Sequence, residues 1–127
     1  MTAIEVDPVA AALARRQADN VIEADVETLD YARVFGAERF DVLLFADVLE
    51  HLRDPQVVLR RVRPLLVPGG VVVASIPNVA HGSLRVALLQ GDFRYTPNGL
   101  LDDSHLRFFT RASILALFED AGYVIAE

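Results

Sequence analysis

The sequence predicts an α/β fold built on a mainly parallel sheet. Two apolar runs, Val42–Ala46 and Val71–Ile76, have the length of strands and no polar alternation, which is typical of strands buried on both faces. Two Asp-Pro pairs, at 7–8 and 54–55, each precede a helical pattern, because Asp favours the N-cap and Pro the first helical position. Strands that alternate with helices in this way indicate helices packed against parallel strands.

The elements follow in the order β-α-β-β-α-β-α-α-β. We expect strands at 3–6, 20–23, 42–46, 71–76 and 123–126, and helices from Pro8 towards Ala18, from Pro55, at 83–90 and from the Thr110 cap to Gly122.

Two stretches of the chain need separate treatment. Pro64 should kink the helix that begins at Pro55, or end it near Arg63, because an interior proline costs about 3 kcal/mol. The Pro-Gly-Gly turn at 68–70 should mark the stop before the next strand. Residues 91–109 read as one long polar and aromatic loop, and loops of that length are often functional.

Composition limits the class of protein. The chain has 127 residues, 53% of them hydrophobic, and a net charge of −6, so we expect one domain with a core and no nucleic-acid partner, since such binding needs clustered Lys and Arg. With no Cys, disulfides, thiolate metal sites and a cysteine nucleophile are excluded. No apolar run approaches the roughly 18 residues of a membrane span, and we expect a cytoplasmic protein.

Candidate site residues follow the predicted strands, because parallel α/β sheets bind ligands outside the carboxyl ends of their strands. Asp7 is better explained as an N-cap, and Asp25 is equally explained as a loop or cap residue. His51 could also be a helix residue bonded to a carboxylate. Asp47 and His51 have helical spacing for a metal pair, but without a clear third ligand we expect no metal. The full set is Glu5, Asp7, Asp25, Asp47, Glu50, His51, Pro77 and Asn78.

Several segments together resemble the class I S-adenosylmethionine-dependent methyltransferases. They are residues 40–55, which contain the Asp-Val-Leu-Glu-His segment, residues 65–70 with the Pro-Gly-Gly turn, residues 76–78, and residues 106–110 and 117–123 near the end. The match covers most of the chain in the family's order. It implies a Rossmann-like fold, S-adenosylmethionine as cofactor, and a small-molecule or glycan acceptor.

The resemblance assigns cofactor roles at four positions near the start of the chain. Glu5 matches the acid that binds the ribose hydroxyls, and Val6 the apolar residue against the adenine. Asp25 matches the acid that accepts from the adenine amino group, with Val26 beside it. A carboxylate suits the ribose because it can accept two hydrogen bonds at once.

The resemblance also implies which residues lie near the methyl group that is transferred. Ala46 and Asp47 match residues that line the methionine end of the cofactor, and His51 matches the histidine that faces the transferred methyl. We expect Asp47 and His51 to be the catalytic residues, with His51 as base because its ordinary pKa of about 6.5 lies near working pH. Side chains of the loop 91–109, together with Asn78, would contact the acceptor. The alternative is that most of the loop side chains are solvated or form ion pairs. The candidate contacts are Asn78, Tyr95, His105 and Arg107.

The chain departs from the family at both ends. No Gly precedes Gly36, so the family's first strand and glycine-rich turn are missing, as is its last strand. We therefore expect residues 1–127 to be a single partial methyltransferase domain, weakly active or inactive in this truncated form. Either strand 42–46 pairs directly with strand 3–6, or a second copy of the chain completes the sheet as a homodimer.

Two other functions stay open. A noncatalytic interaction module could keep the fold without the cofactor loop. A nicotinamide-nucleotide oxidoreductase would also place an acid after its second strand, although the Asp-Val-Leu-Glu-His segment points away from it.

Overall fold

The computed structural model describes residues 1–126. The chain divides into two compact units, residues 1–37 and residues 38–127. Four strands and five α-helices are present in the described part, and every strand pairing is parallel. The predicted α/β class with parallel strands is therefore confirmed. None of the described helices is long and apolar enough to cross a membrane.

The first unit is a βαβ arrangement followed by a short helix. Strand β1 pairs with β2 so that Glu5 lies opposite Glu23. The Asp7 side chain accepts a hydrogen bond from the N–H of Ala10 at 2.7 Å, which confirms the N-cap. The helix ends before the predicted Ala18. Its elements are β1 (Thr2–Glu5), α1 (Pro8–Ala14), β2 (Asn20–Glu23) and α2 (Tyr31–Phe35).

Helix α2 was not predicted, because the connection between 27 and 40 looked wholly polar. The side chain of Asp30 accepts from the N–H of Arg33 at 3.1 Å and caps the helix, and Gly36 ends it. Tyr31 and Phe35 are buried and give this short helix its apolar side. An Asp cap followed by two aromatics four residues apart was the available sequence pattern.

The second unit contains a second parallel pair of strands. Strand β3 pairs with β4 from Val42 opposite Val71 to Ala46 opposite Ser75. The buried side chains Leu49, Val58 and Leu59 form the centre of this unit. Its elements are β3 (Phe40–Ala46), a 3-10 turn (Leu49–His51), α3 (Pro55–Val62), a second 3-10 turn (Arg63–Leu65), β4 (Leu66–Ser75), α4 (Gly82–Leu89) and α5 (Arg111–Asp120).

The Pro-Gly-Gly turn lies inside β4 and does not stop the helix. Helix α3 ends at Val62, and the 3-10 turn that follows contains Pro64, so the predicted end near Arg63 is confirmed. The pairing of β3 with β4 shifts register across this stretch. A Cβ on Gly70 would lie 3.1 Å from the carbonyl oxygen of Asp41 on β3, so this close approach of the two strands favours a glycine there.

The predicted last strand at 123–126 is wrong. Helix α5 begins at the predicted Thr110 cap, which forms a capping box with Ser113, and Gly122 follows the helix with a φ of 89°. No strand pairs with residues 123–126 in the part of the chain described, and an isolated segment has no ladder that would make it a strand. Instead, the hydroxyl of Tyr123 donates to the carbonyl of Leu59 at 2.8 Å.

Each unit contains one sheet of two parallel strands. Strand β1 is hydrogen-bonded to β2, and β3 to β4. Each sheet is a local βαβ crossover, which is the pairing that a helix between two strands favours.

Candidate active site

A strained turn follows β3. Asp47 has a φ of 51°, and it is the only non-glycine residue in 1–126 with a left-handed backbone. This conformation costs an L-residue about 1 to 2 kcal/mol. Two contacts with Ser75 hold it: the Asp47 N–H donates to the Ser75 carbonyl at 3.1 Å, and the Ser75 hydroxyl donates to Asp47 Oδ1 at 2.8 Å. Such strain is concentrated at functional sites.

The 3-10 turn Leu49–His51 separates two ionisable side chains. Glu50 is 1% exposed, whereas the ring of His51 is exposed. His51 Nδ1 lies 3.2 Å from the carbonyl oxygen of Ser104. A carbonyl only accepts, so this contact requires a proton on Nδ1 and leaves Nε2 of the neutral ring with its lone pair. His51 is thus positioned as a proton acceptor.

The loop after α4 brings His105 to the same place. The Glu50 carbonyl accepts hydrogen bonds from the N–H groups of Leu106 and Arg107, both at 2.9 Å. These bonds fix the loop against the turn, and the rings of His51 and His105 lie 4.9 Å apart, centroid to centroid. The sequence placed His105 only among acceptor contacts, and no local pattern links it to His51.

Glu50 is the functional candidate that the sequence left without a role. Burial raises the pKa of its carboxyl group, and the nearby Asp47 acts in the same direction, against the opposing influence of the two histidines. Neither carboxylate oxygen of Glu50, nor Nδ1 of His105, has a hydrogen-bond partner among the described residues. Glu50, His51 and His105 each offer one ligand atom, and these three atoms lie within 4.8 Å of one another. The three side chains could therefore hold a metal ion.

A row of aromatic side chains extends from the histidine pair. The ring of Phe108 lies 6.2 Å from that of His105 and 6.2 Å from that of Tyr95, and Phe93 lies 5.7 Å from Tyr95. All three aromatic residues are substantially exposed. They offer a surface on which a flat ring can stack.

Two predicted acceptor contacts have local structural partners. Asn78 Oδ1 accepts from the N–H of Ala80 at 2.9 Å. The guanidinium of Arg107 donates to the carbonyl of Arg53, with Nε at 3.1 Å.

The nucleoside candidates lie at the carboxyl ends of β1 and β2. Glu5 Oε1 accepts from the Asp7 N–H, and Asp25 Oδ1 accepts from the Glu27 N–H, both at 2.8 Å. The second oxygen of each carboxylate has no hydrogen-bond partner within residues 1–126. Val6 is 67% exposed. Two open acceptors and an apolar side chain fit a nucleoside, whose hydroxyl and amino groups are donors and whose base is flat.

Comparison with known proteins identifies the family. A family described as "Methyltransferase domain" matches residues 1–127, and the chain belongs to it. A ubiquinone biosynthesis O-methyltransferase of Cereibacter sphaeroides is 35% identical over 103 residues, which cover 75% of this chain and 41% of that protein. The corresponding protein of Ruegeria pomeroyi is 37% identical over 89 residues, which cover 68% and 35%.

A solved structure shows the same fold. It is a SAM-dependent methyltransferase from Thermotoga maritima, described as a possible histamine N-methyltransferase, with a TM-score of 0.73 at 20% identity. The match covers 96% of this chain and 54% of that one. The Rossmann-like fold is therefore confirmed, and the chain spans about two fifths of the curated relatives and half of the structural one. Membership of this family implies S-adenosylmethionine as the cofactor.

Proposed function

We propose that this protein transfers a methyl group from S-adenosylmethionine to a hydroxyl group of a small molecule, with His51 as the base. The observation that carries the proposal is the His51 ring, exposed and fixed through Nδ1 to the Ser104 carbonyl, next to an exposed aromatic surface. Residues 1–127 would form one partial methyltransferase domain. Asp47, in its strained turn beside β3, would be the second catalytic residue.

The proposed cofactor contacts fall into a nucleoside group and a methionine group of residues. Glu5 and Asp25 would accept from the nucleoside with their open oxygens, and Val6 and Val26 would contact the base. Ala46 and Asp47 would contact the methionine end. When bound, S-adenosylmethionine supplies a methyl group on a sulfonium that is already an excellent leaving group.

The protein has little covalent chemistry to perform. The acceptor oxygen and the methyl carbon must be held about 3 to 3.5 Å apart and in line with the leaving group. Nε2 of His51 takes the hydroxyl proton as the oxygen attacks, and the imidazolium then releases it to solvent. Such a base contributes typically about 10²- to 10⁴-fold to the rate.

The chemistry of the acceptor follows from the relatives and the aromatic row. The relatives from Cereibacter and Ruegeria are named for O-methylation in ubiquinone biosynthesis. Phe108 and Tyr95 beside the histidine pair would stack on a planar ring, which favours an aromatic hydroxyl over the glycan alternative. A cytoplasmic location, the absence of a nucleic-acid partner and a homodimer that completes the sheet stay predictions from the sequence.

The test is methyl transfer under single-turnover conditions, which detect slow activity. The chain, in excess over methyl-labelled cofactor, is incubated with catechol or with a methyl glucoside as acceptor. We expect methylated catechol, at a rate that His51→Asn reduces about 10²-fold or more. His81→Asn is the matched control, because His81 caps α4 and Asn is also a good N-cap.

Each outcome decides between the hypotheses. Transfer to the sugar and not to catechol would contradict the aromatic acceptor. No transfer to either, by a chain that binds the cofactor, would contradict the catalytic role and support the noncatalytic alternative. The nicotinamide alternative has no support from the family match.

A further inference from the structure

We propose that Glu50, His51 and His105 bind one divalent transition-metal ion, with Zn²⁺ and Mn²⁺ as the best candidates. Binding of an ion can be measured without cofactor or acceptor. Because Nδ1 of His51 faces the Ser104 carbonyl, the ion would occupy Nε2, and a chain with the ion bound could not use that nitrogen as the base. This three-residue site also reverses the expectation from the sequence, which found only Asp47 and His51 as a pair and no third ligand.

The spacing of the three groups fits a single ion. Their ligand atoms lie within 4.8 Å of one another, so one point lies within about 2.8 Å of all three (4.8 Å divided by √3). Bonds from Zn²⁺ to imidazole nitrogen and carboxylate oxygen are about 2.0 to 2.2 Å. Small side-chain adjustments would close the remaining gap.

Three buried atoms at this place lack the partners that buried polar groups require. Glu50 is 1% exposed, and its two carboxylate oxygens accept no hydrogen bond within the described chain. Nδ1 of the partly buried His105 is likewise without a partner there. A buried carboxylate is normally paired with a cation or coordinates a metal, and no Arg forms an ion pair with Glu50 among residues 1–126.

The donor set selects the kind of ion. Two imidazole nitrogens and one carboxylate oxygen suit Zn²⁺, Mn²⁺ or Fe²⁺, whereas Mg²⁺ and Ca²⁺ prefer oxygen ligands. The backbone already holds the ligands together, since the Glu50 carbonyl accepts from the N–H groups that follow His105. Because His51 is exposed, a fourth position would be open to water or to another oxygen ligand.

Calorimetric titration of the chelator-treated chain with ZnCl₂ and with MnCl₂ tests the site. We expect one equivalent to bind, with an affinity that falls at least about tenfold in Glu50→Gln and in His105→Asn. His81→Asn, which removes the third histidine of the chain and lies outside the cluster, should bind as the unaltered chain does. Circular dichroism checks folding, and His105→Asn keeps the test valid if the buried Glu50→Gln variant does not fold.

Substitution by Co²⁺ adds a readout of the coordination. A visible absorption band that is present in the unaltered chain and in His81→Asn, and lost in His105→Asn, would support the site. The proposal is overturned if neither ion binds at about 1 mM, or if His105→Asn binds as tightly as the unaltered chain. Preferential binding of MgCl₂ would contradict the assigned class of ion. None of these measurements requires methyl transfer or an acceptor.

Discussion

Ser75, at the end of β4, donates a hydrogen bond from its hydroxyl to Oδ1 of Asp47 at 2.8 Å. Asp47 follows β3, and the same two residues also share a backbone hydrogen bond. Together these contacts hold a non-glycine residue at a φ of 51° at the strand end where the family resemblance places the methionine part of the cofactor. The sheet thus supports a backbone conformation that most residues avoid.

Replacing Asp47 should separate the effect of charge from that of backbone strain. Asp47→Asn should leave stability nearly unchanged, because Asn tolerates the left-handed region and can still accept from Ser75. Asp47→Ala should lower the free energy of unfolding by about 1 to 2 kcal/mol more than Asp47→Asn does. Urea denaturation measures both. Equal stability of the two variants would mean that the turn is not strained at this position.

Tyr123 predicts a dependence of stability on alkaline pH. Burial raises the pKa of its phenol above the ordinary value of 10.0, and its hydroxyl donates to the Leu59 carbonyl. Above about pH 10 the unfolded chain loses this proton while the folded chain keeps it. The unfolded state then binds fewer protons, so this residue's contribution is present at neutral pH and is lost as the pH rises through the raised pKa.

Tyr123→Phe tests this assignment. The variant should lose about 1 kcal/mol of stability at pH 7, because the Leu59 carbonyl loses its donor. Between pH 9 and about pH 11, the stability of the variant should also fall by less than that of the unaltered chain. Urea denaturation at both pH values gives the comparison. Parallel pH profiles for the two chains would show that the Tyr123 hydroxyl is not protected by folding.

Local interactions explain what the sequence predicted correctly. Asp7 and Asp54 cap helices because an Asp side chain reaches the N–H three residues ahead, and that contact needs no distant partner. Residues 42–46 form the predicted strand, but it is not buried on both faces as the apolar run predicted, because Val42 and Leu44 are 53% and 66% exposed.

Long-range contacts explain what was missed. The approach of His105 to His51 depends on the backbone bonds between Glu50 and the loop after His105, which no spacing in the sequence encodes. Residues 123–126 have strand-like side chains, but a strand exists only where a neighbour supplies its hydrogen bonds. Pro68 and the glycines after it resemble a stop, yet β4 continues through them with a shifted register.

The most direct test of the central claim is whether the carboxylates after β1 and β2 bind the cofactor. NMR titration of the ¹⁵N-labelled chain with S-adenosylhomocysteine should shift the amide signals of Asp7 and Glu27, because these N–H groups donate to the side chains of Glu5 and Asp25. Glu5→Gln should weaken binding about tenfold, the loss expected for a hydrogen bond to a charged group.

Glu23→Gln is the matched control, since Glu23 lies opposite Glu5 in the sheet and pairs with Arg15. It should leave the affinity unchanged. We predict that the Asp7 and Glu27 signals shift saturably with ligand. Glu5→Gln should weaken the binding, and Glu23→Gln should not. Unmoved signals at about 5 mM ligand, or equal effects of the two substitutions, would contradict the assignment of these residues to the cofactor.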